Sequence, residues 1–121
     1  MAKILVVDDD VTVTQLLKML LSMEGHQPTT INDSNVTLEM ADQLQPDLIT
    51  LDLMMPGLTG FELCELLHND PRFKHIPLLV ISARDDTESM DRAYQAGARG
   101  YITKPFGVET LIQKIKELTS S

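Results

Sequence analysis

The sequence predicts an α/β domain, a five-stranded parallel sheet with helices on both faces. Three observations lead there. Short apolar runs rich in β-branched residues alternate with segments of helical spacing, five of each. The runs are continuously apolar, as in strands buried on both sides. Polar residues collect where the runs end, at Asp8-Asp9-Asp10, Asp52, Ser82 and Lys104-Pro105.

Lys3 to Val7 is the first strand. Val11 to Met23 follows as a helix, with Val13, Leu16, Leu17, Leu20 and Leu21 on one face and Asp10 as its N-cap. Gly25 stops it. His26 to Ile31 is a weak second strand, and Pro28 sends it to the sheet edge. Asn32 or Asp33 caps a helix running from Val36 to Leu44, which Pro46 closes. Asp47 to Leu51 is the third strand. Thr59 and Glu62 form a capping box ahead of a helix reaching Asn69. Pro77 to Ile81 is the fourth strand, followed by Ser82. Asp85 to Ala96 is helical, with Gly97 at its end. Arg99 to Thr103 is the fifth strand, and a helix from about Val108 to Leu118 closes the pattern.

Right-handed crossovers leave few topologies for such a chain. The favoured one is the doubly wound, flavodoxin-like (βα)5 order 2-1-3-4-5. Ligands in such sheets bind outside the carboxyl ends of the strands, where the order reverses. Strands one and three flank that point, and they carry Asp8, Asp9 and Asp52.

Length and composition bound the function. At 121 residues the chain fits one domain, and its 43% apolar residues suffice for a core. The single cysteine, Cys64, makes no internal disulfide and favours a reducing, cytoplasmic setting. No apolar stretch approaches the roughly 20 residues of a membrane span. A net charge of −8, from 18 acids against 10 bases, repels phosphate backbones and argues against direct nucleic-acid binding. His26, His68 and His75 lack metal-ligand spacing and read as surface residues, and Cys64 reads as core. The methionines at 19, 23, 40, 54, 55 and 90 read mostly as filling, except that Met54 and Met55 line the site loop.

Neighbouring strands lie about 4.8 Å apart, so the strand-end groups can share one pocket. Oxygen donors at that density suit Mg²⁺. The expected ligands are Asp9 and Asp52, Asp8 directly or through water, and the backbone carbonyl of Met54. Asp52 is then placed as a nucleophile toward phosphorus. Ser82 can donate its hydroxyl to a phosphoryl oxygen, and Lys104 supplies a point charge to another.

Together these motifs resemble the receiver domain of two-component response regulators, of the chemotaxis-regulator type. The resemblance spans essentially the whole chain. It is carried by Ile4-Leu5-Val6-Val7-Asp8-Asp9, by Leu51 to Gly57 with Gly60, by Ser82-Ala83 and by Lys104-Pro105-Phe106. It implies that Asp52 takes a phosphoryl group from a kinase's phosphohistidine, that Asp8 and Asp9 hold Mg²⁺, and that Ser82 and Lys104 contact the phosphoryl group. It implies a switch in which Ser82 moves and Tyr101 rotates inward, remodelling the face of helix four, strand five and helix five. It also implies a cis Lys104-Pro105 bond. Met54 and Arg84 fall where the family tunes phosphoryl lifetime, and neither places an attacking water well, which implies slow hydrolysis.

The partners so implied are a sensor histidine kinase or phosphotransfer protein, and an output domain or downstream protein. A phosphorylation-promoted homodimer is compatible. Met1-Ala2-Lys3 reads as a native start, whereas Glu117 to Ser121 fits a true end or a junction to an output domain equally well. A hydrolase of the haloacid dehalogenase type needs a second acid two residues after its nucleophile, where this chain has Met54. An FMN binder needs a small-residue phosphate loop where this chain has three acids. A receiver-like module that is never phosphorylated would normally lack one of the acids or the lysine.

Overall fold

The computed structural model describes residues 2–120. Met1 and Ser121, the outer ends of the two expected termini, lie outside the described residues. Five strands alternate with five helices: β1 (Lys3–Val7), α1 (Val11–Met23), β2 (Gln27–Ile31), α2 (Thr37–Leu44), β3 (Leu48–Leu51), α3 (Gly60–Asn69), β4 (Leu78–Ser82), α4 (Thr87–Gln95), β5 (Gly100–Thr103) and α5 (Val108–Thr119). All pairings are parallel, in the order β2-β1-β3-β4-β5, as the sequence predicts.

Alternate residues of each strand enter different layers, because strand side chains have a period of two. Leu5, Val7, Ile49, Leu51 and Val80 pack toward α3 residues such as Leu63 and Leu67. Ile4, Val6, Leu48, Leu79, Ile81 and Ile102 pack toward Leu17 and Leu21 of α1 and Leu111 and Ile115 of α5. The central strands β1, β3 and β4 are thus covered on both faces, and polar side chains stand where they end. Among the described residues no helix is long and apolar enough to cross a membrane.

The caps fall largely where the residues direct them. The Asp10 carboxylate accepts from the Thr12 and Val13 amides and starts α1. Thr59 and Glu62 make both halves of the capping box of α3. Gly25 and Gly97 end their helices with φ of 86° and 118°, conformations that cost glycine little.

Several boundaries differ from the expectation. Asp33, not Asn32, caps the chain after β2, and it starts a 3-10 turn over Ser34–Val36, so α2 proper begins only at Thr37. Asp86 caps α4, which is shorter at both ends than expected. Ser82 is the last residue of β4, paired with Thr103, instead of following the strand. On α1, Leu16 is partly exposed, and Met19 and Met23 are 54% and 74% exposed. They fill nothing, because α1 is covered by the sheet on one side only. His26 is half-buried, and its Nδ1 accepts from the Ala2 amide at 3.2 Å. Cys64 is fully buried, and burial pushes its thiol pKa up to about 12.

The β3–α3 connection is held to the end of β3 at one tight point. The Gly60 amide donates to the Leu53 carbonyl at 3.1 Å, and a Cβ on Gly60 would land on the backbone of Asp52 and Leu53. Gly60→Ala is therefore expected to lose about 3 kcal/mol, the upper end of an overpacking penalty, because backbone cannot rotate away. Urea unfolding reads this directly, and an unchanged midpoint would contradict the tight approach.

Candidate functional site

The strand ends place the polar groups, and backbone bonds carry the sheet one residue further. The Asp8 amide donates to the Ile31 carbonyl at 3.2 Å and the Asp52 amide to the Val7 carbonyl at 3.3 Å. The Lys104 amide donates to the Ser82 carbonyl at 2.8 Å. Asp8, Asp52 and Lys104 thus leave the sheet from hydrogen-bonded backbone at the carboxyl ends of their strands.

Their side chains meet. Lys104 Nζ donates to Asp8 Oδ2 and to Asp52 Oδ2, both at 2.7 Å. Asp8 Oδ1 accepts from the Asp10 amide at 3.0 Å, and Asp52 Oδ1 from the Met54 amide at 3.1 Å. Asp8 and Asp52 are 3% and 7% exposed, so these are buried carboxylates. The two ends of this ion pair respond differently. Burial dominates at Asp8 and raises its pKa, although Lys104 and the Asp10 amide pull the other way. At Lys104 burial opposes the charge, but Asp52 and Asp8 outweigh it and hold the ammonium above its ordinary value.

Two buried carboxylates share one lysine, so their group carries one uncompensated negative charge. A second cation is the natural complement. The available donors are carboxylate and carbonyl oxygens, which suit a hard divalent ion. Asp9 is exposed beside them. Among the described residues no three His, Cys, Asp or Glu side chains form a ready-made metal cage. The acids at Asp8 and Asp52 are instead drawn together through Lys104.

Ser82 is fully buried, with its Oγ accepting from the Arg84 amide at 3.3 Å. Tyr101 is half-buried, and its hydroxyl donates to the Arg84 carbonyl at 2.6 Å. Burial raises the Tyr101 pKa, while contact with the Ser82 hydroxyl opposes the rise. Arg84 lies across Met54. Its Nε pairs with Asp86 at 3.3 Å, and its Nη1 stands 3.9 Å from the Met54 sulfur. Met54 is 56% exposed. The Asp86 carboxylate, bonded to the Ser89 hydroxyl and amide and to Arg84, is held down at about 2. The Lys104-Pro105 peptide is cis.

Sequence reasoning missed three supports of this site. Asn32 donates to the Asp8 carbonyl at 2.8 Å, and Ser34 donates to the Pro56 carbonyl at 3.2 Å. Arg84 ties Asp86 to Met54. All join residues far apart in the chain or rest on side-chain direction, and no local motif announces them.

Comparison with known proteins points one way. The model of the response regulator receiver domain matches residues 4–116. The chain is 37% identical to the DNA-binding dual master transcriptional regulator RpaA of Synechocystis, over 98% of this chain and 49% of RpaA. It is 38% identical to the response regulator PleD of Caulobacter vibrioides, over 98% of this chain and 26% of PleD. The chain therefore spans half or less of the length of these curated relatives. Among solved structures, the chemotaxis protein CheY4 of Vibrio cholerae superposes with a TM-score of 0.92 at 30% identity, covering 98% of each chain. The receiver domain of Francisella response regulator 1452 gives 0.89 at 31%, covering 98% of this chain and 97% of that one.

Proposed function

We propose that this chain, which belongs to the response regulator receiver domain family of two-component signalling, accepts a phosphoryl group on Asp52 from the phosphohistidine of a kinase or phosphotransfer protein. The observation that carries the reading is the buried Asp8–Lys104–Asp52 bridge, 2.7 Å on each side. It puts a nucleophilic carboxylate, a metal-compatible acid and a fixed cation within one small opening.

Asp8, Asp9, Asp52 and the Met54 carbonyl would hold Mg²⁺. When bound, that ion supplies neutralisation of the charge that develops on the phosphoryl oxygens. Asp52 then needs only to be aimed, because phosphoryl transfer depends mostly on positioning and electrostatics. The P–N bond of the donor breaks as the P–O bond to Asp52 forms. Lys104 moves its point charge from a carboxylate oxygen to a phosphoryl oxygen. Ser82 offers its hydroxyl to another, and Tyr101 follows inward, giving up its bond to the Arg84 carbonyl. That exchange alters the α4–β5–α5 face read by an output domain or a downstream protein, and a phosphorylation-promoted homodimer through that face is compatible with it. On this reading the chain is a self-modifying switch and not a turnover enzyme, it works in the cytoplasm, and it is one receiver unit over residues 1–121.

A groove lined by Val13, Leu16, Leu20, Phe106 and Val108 opens beside Lys104. An apolar surface at the rim of a charged site supports a protein as the phosphoryl donor. The test is exposure to acetyl phosphate with Mg²⁺ or with a chelator, followed by intact mass. One added phosphoryl group only with Mg²⁺ is expected; labelling that ignores the chelator would sink the metal assignment.

Lifetime follows from Met54 and Arg84. A thioether is a weak acceptor and does not orient a water for attack, and the Arg84 guanidinium beside it can reach the phosphoryl oxygens instead. The aspartyl phosphate is expected to outlast minutes in the isolated chain. Loss of most label within seconds would contradict this.

A further inference from the structure

We propose that Asn32 is a positioning residue for the phosphoacceptor site, clamping the Asp8–Asp9 peptide and so aiming the two acids that face a divalent cation. This rests on the reading of the site given under Proposed function.

Asn32 follows an edge strand, where an asparagine ordinarily caps the next turn. Asp33 does the capping, which frees Asn32 for a longer reach. Its Nδ2 donates to the Asp8 carbonyl at 2.8 Å and to Thr14 Oγ1 at 3.0 Å. A carbonyl oxygen only accepts, so the atom facing it is the nitrogen, whose two hydrogens serve the two acceptors. Thr14 is 2% exposed, and its hydroxyl donates to the Val11 carbonyl at 3.1 Å. The clamp thereby joins the end of β2, the end of β1 and the first turn of α1.

The placement matters because β1 ends at Val7. Beyond it, the Asp8 amide is held by Ile31, but the Asp8 carbonyl has left the ladder. That carbonyl and the Asp9 amide belong to one planar peptide unit. Fixing the carbonyl fixes ψ of Asp8 and with it the plane and position from which the Asp9 Cα departs. Asp9 is exposed, so its aim rests on the backbone.

The test is a Mg²⁺ titration of the full chain at pH 8, followed by backbone amide shifts, with urea unfolding of the metal-free proteins alongside. Asn32→Leu keeps the shape and removes the donor; it is expected to weaken Mg²⁺ binding about tenfold or more, the scale for losing an outer partner of a metal ligand. Asn32→His places Nδ1 the same number of bonds from Cα as the asparagine nitrogen but with one hydrogen, so it can restore the bond to the Asp8 carbonyl alone and is expected to bind Mg²⁺ more tightly than Asn32→Leu. Should Asn32→Leu fail to fold, Thr14→Val removes only the anchoring hydroxyl and is expected to weaken binding in the same direction by less. Equal Mg²⁺ affinity in wild type and Asn32→Leu, with only stability lowered, would overturn the clamp and leave the site reading standing. Absence of saturable Mg²⁺ binding in wild type would overturn both.

Discussion

Asp52→Asn is expected to take up no phosphoryl group from any donor while folding at least as well as the parent chain. The amide keeps the size of the carboxylate and can still accept from the Met54 amide, now at 3.1 Å. It cannot form a stable acyl phosphate, so labelling should vanish and not merely slow. The stability argument runs the other way. Asp8 and Asp52 share a single ammonium, and removing one acid leaves a neutral Asp8–Lys104 pair. The variant is expected to be unchanged or stabilised by up to about 1 kcal/mol, the scale of a partly screened like-charge contact. Calorimetry and intact mass after acetyl phosphate read the two effects separately. Residual labelling in a folded Asp52→Asn protein would move the acceptor elsewhere. A large loss of stability would mean that Asp52 is chiefly a structural ion-pair partner.

Lys104→Met should damage both stability and chemistry. It strands two carboxylates of 3% and 7% exposure without their cation. Breaking a buried pair from one side costs about 3 kcal/mol at the lower end, a large part of the roughly 5–15 kcal/mol that holds a domain together. The sign with pH follows from Asp8. Its pKa is already raised by burial above 3.8, and losing Lys104 raises it further. The native state then binds protons more tightly than the unfolded chain, so the variant's stability falls as pH rises through that window. Its deficit against wild type should be smallest in acid and open toward neutral pH. Phosphoryl acceptance at neutral pH should fall about 10²-fold, the cost of one electrostatic contact to a transferring group. A deficit independent of pH would contradict the stranded-carboxylate account. Unchanged labelling kinetics would remove Lys104 from the chemistry.

Much of this was legible in the residues because the site sits where apolar runs stop. A buried strand needs continuous apolar residues, so Asp8 after Val7 and Asp52 after Leu51 stand out without any knowledge of the fold. Parallel strands then bring those ends together, and the crossover rules set the order. Other features depend on information that the local sequence does not carry. Asn32 and Asp33 are equally good caps, and only the fold decides that one reaches back 24 residues to Asp8. Tyr101 sits correctly on β5, yet its bond to the Arg84 carbonyl, 17 residues away, depends on the loop after β4. Met19 and Met23 look like core by hydropathy and lie outside because one face of α1 has no neighbour. The 3-10 turn before α2 is capped by the Asp33 side chain, which accepts from the Asn35 amide, and its i+3 bond from Val36 to the Asp33 carbonyl is not something the local residues announce.

The most direct test of the central claim is to locate the modification itself. The chain, labelled with phosphodonor and Mg²⁺, is reduced with borohydride, which converts an aspartyl phosphate to homoserine, and the peptides are sequenced by mass spectrometry. Homoserine at position 52, and at no other acid, is the predicted result. Homoserine at Asp8 or Asp9, or a phosphoryl group retained on one of the histidines, would contradict it.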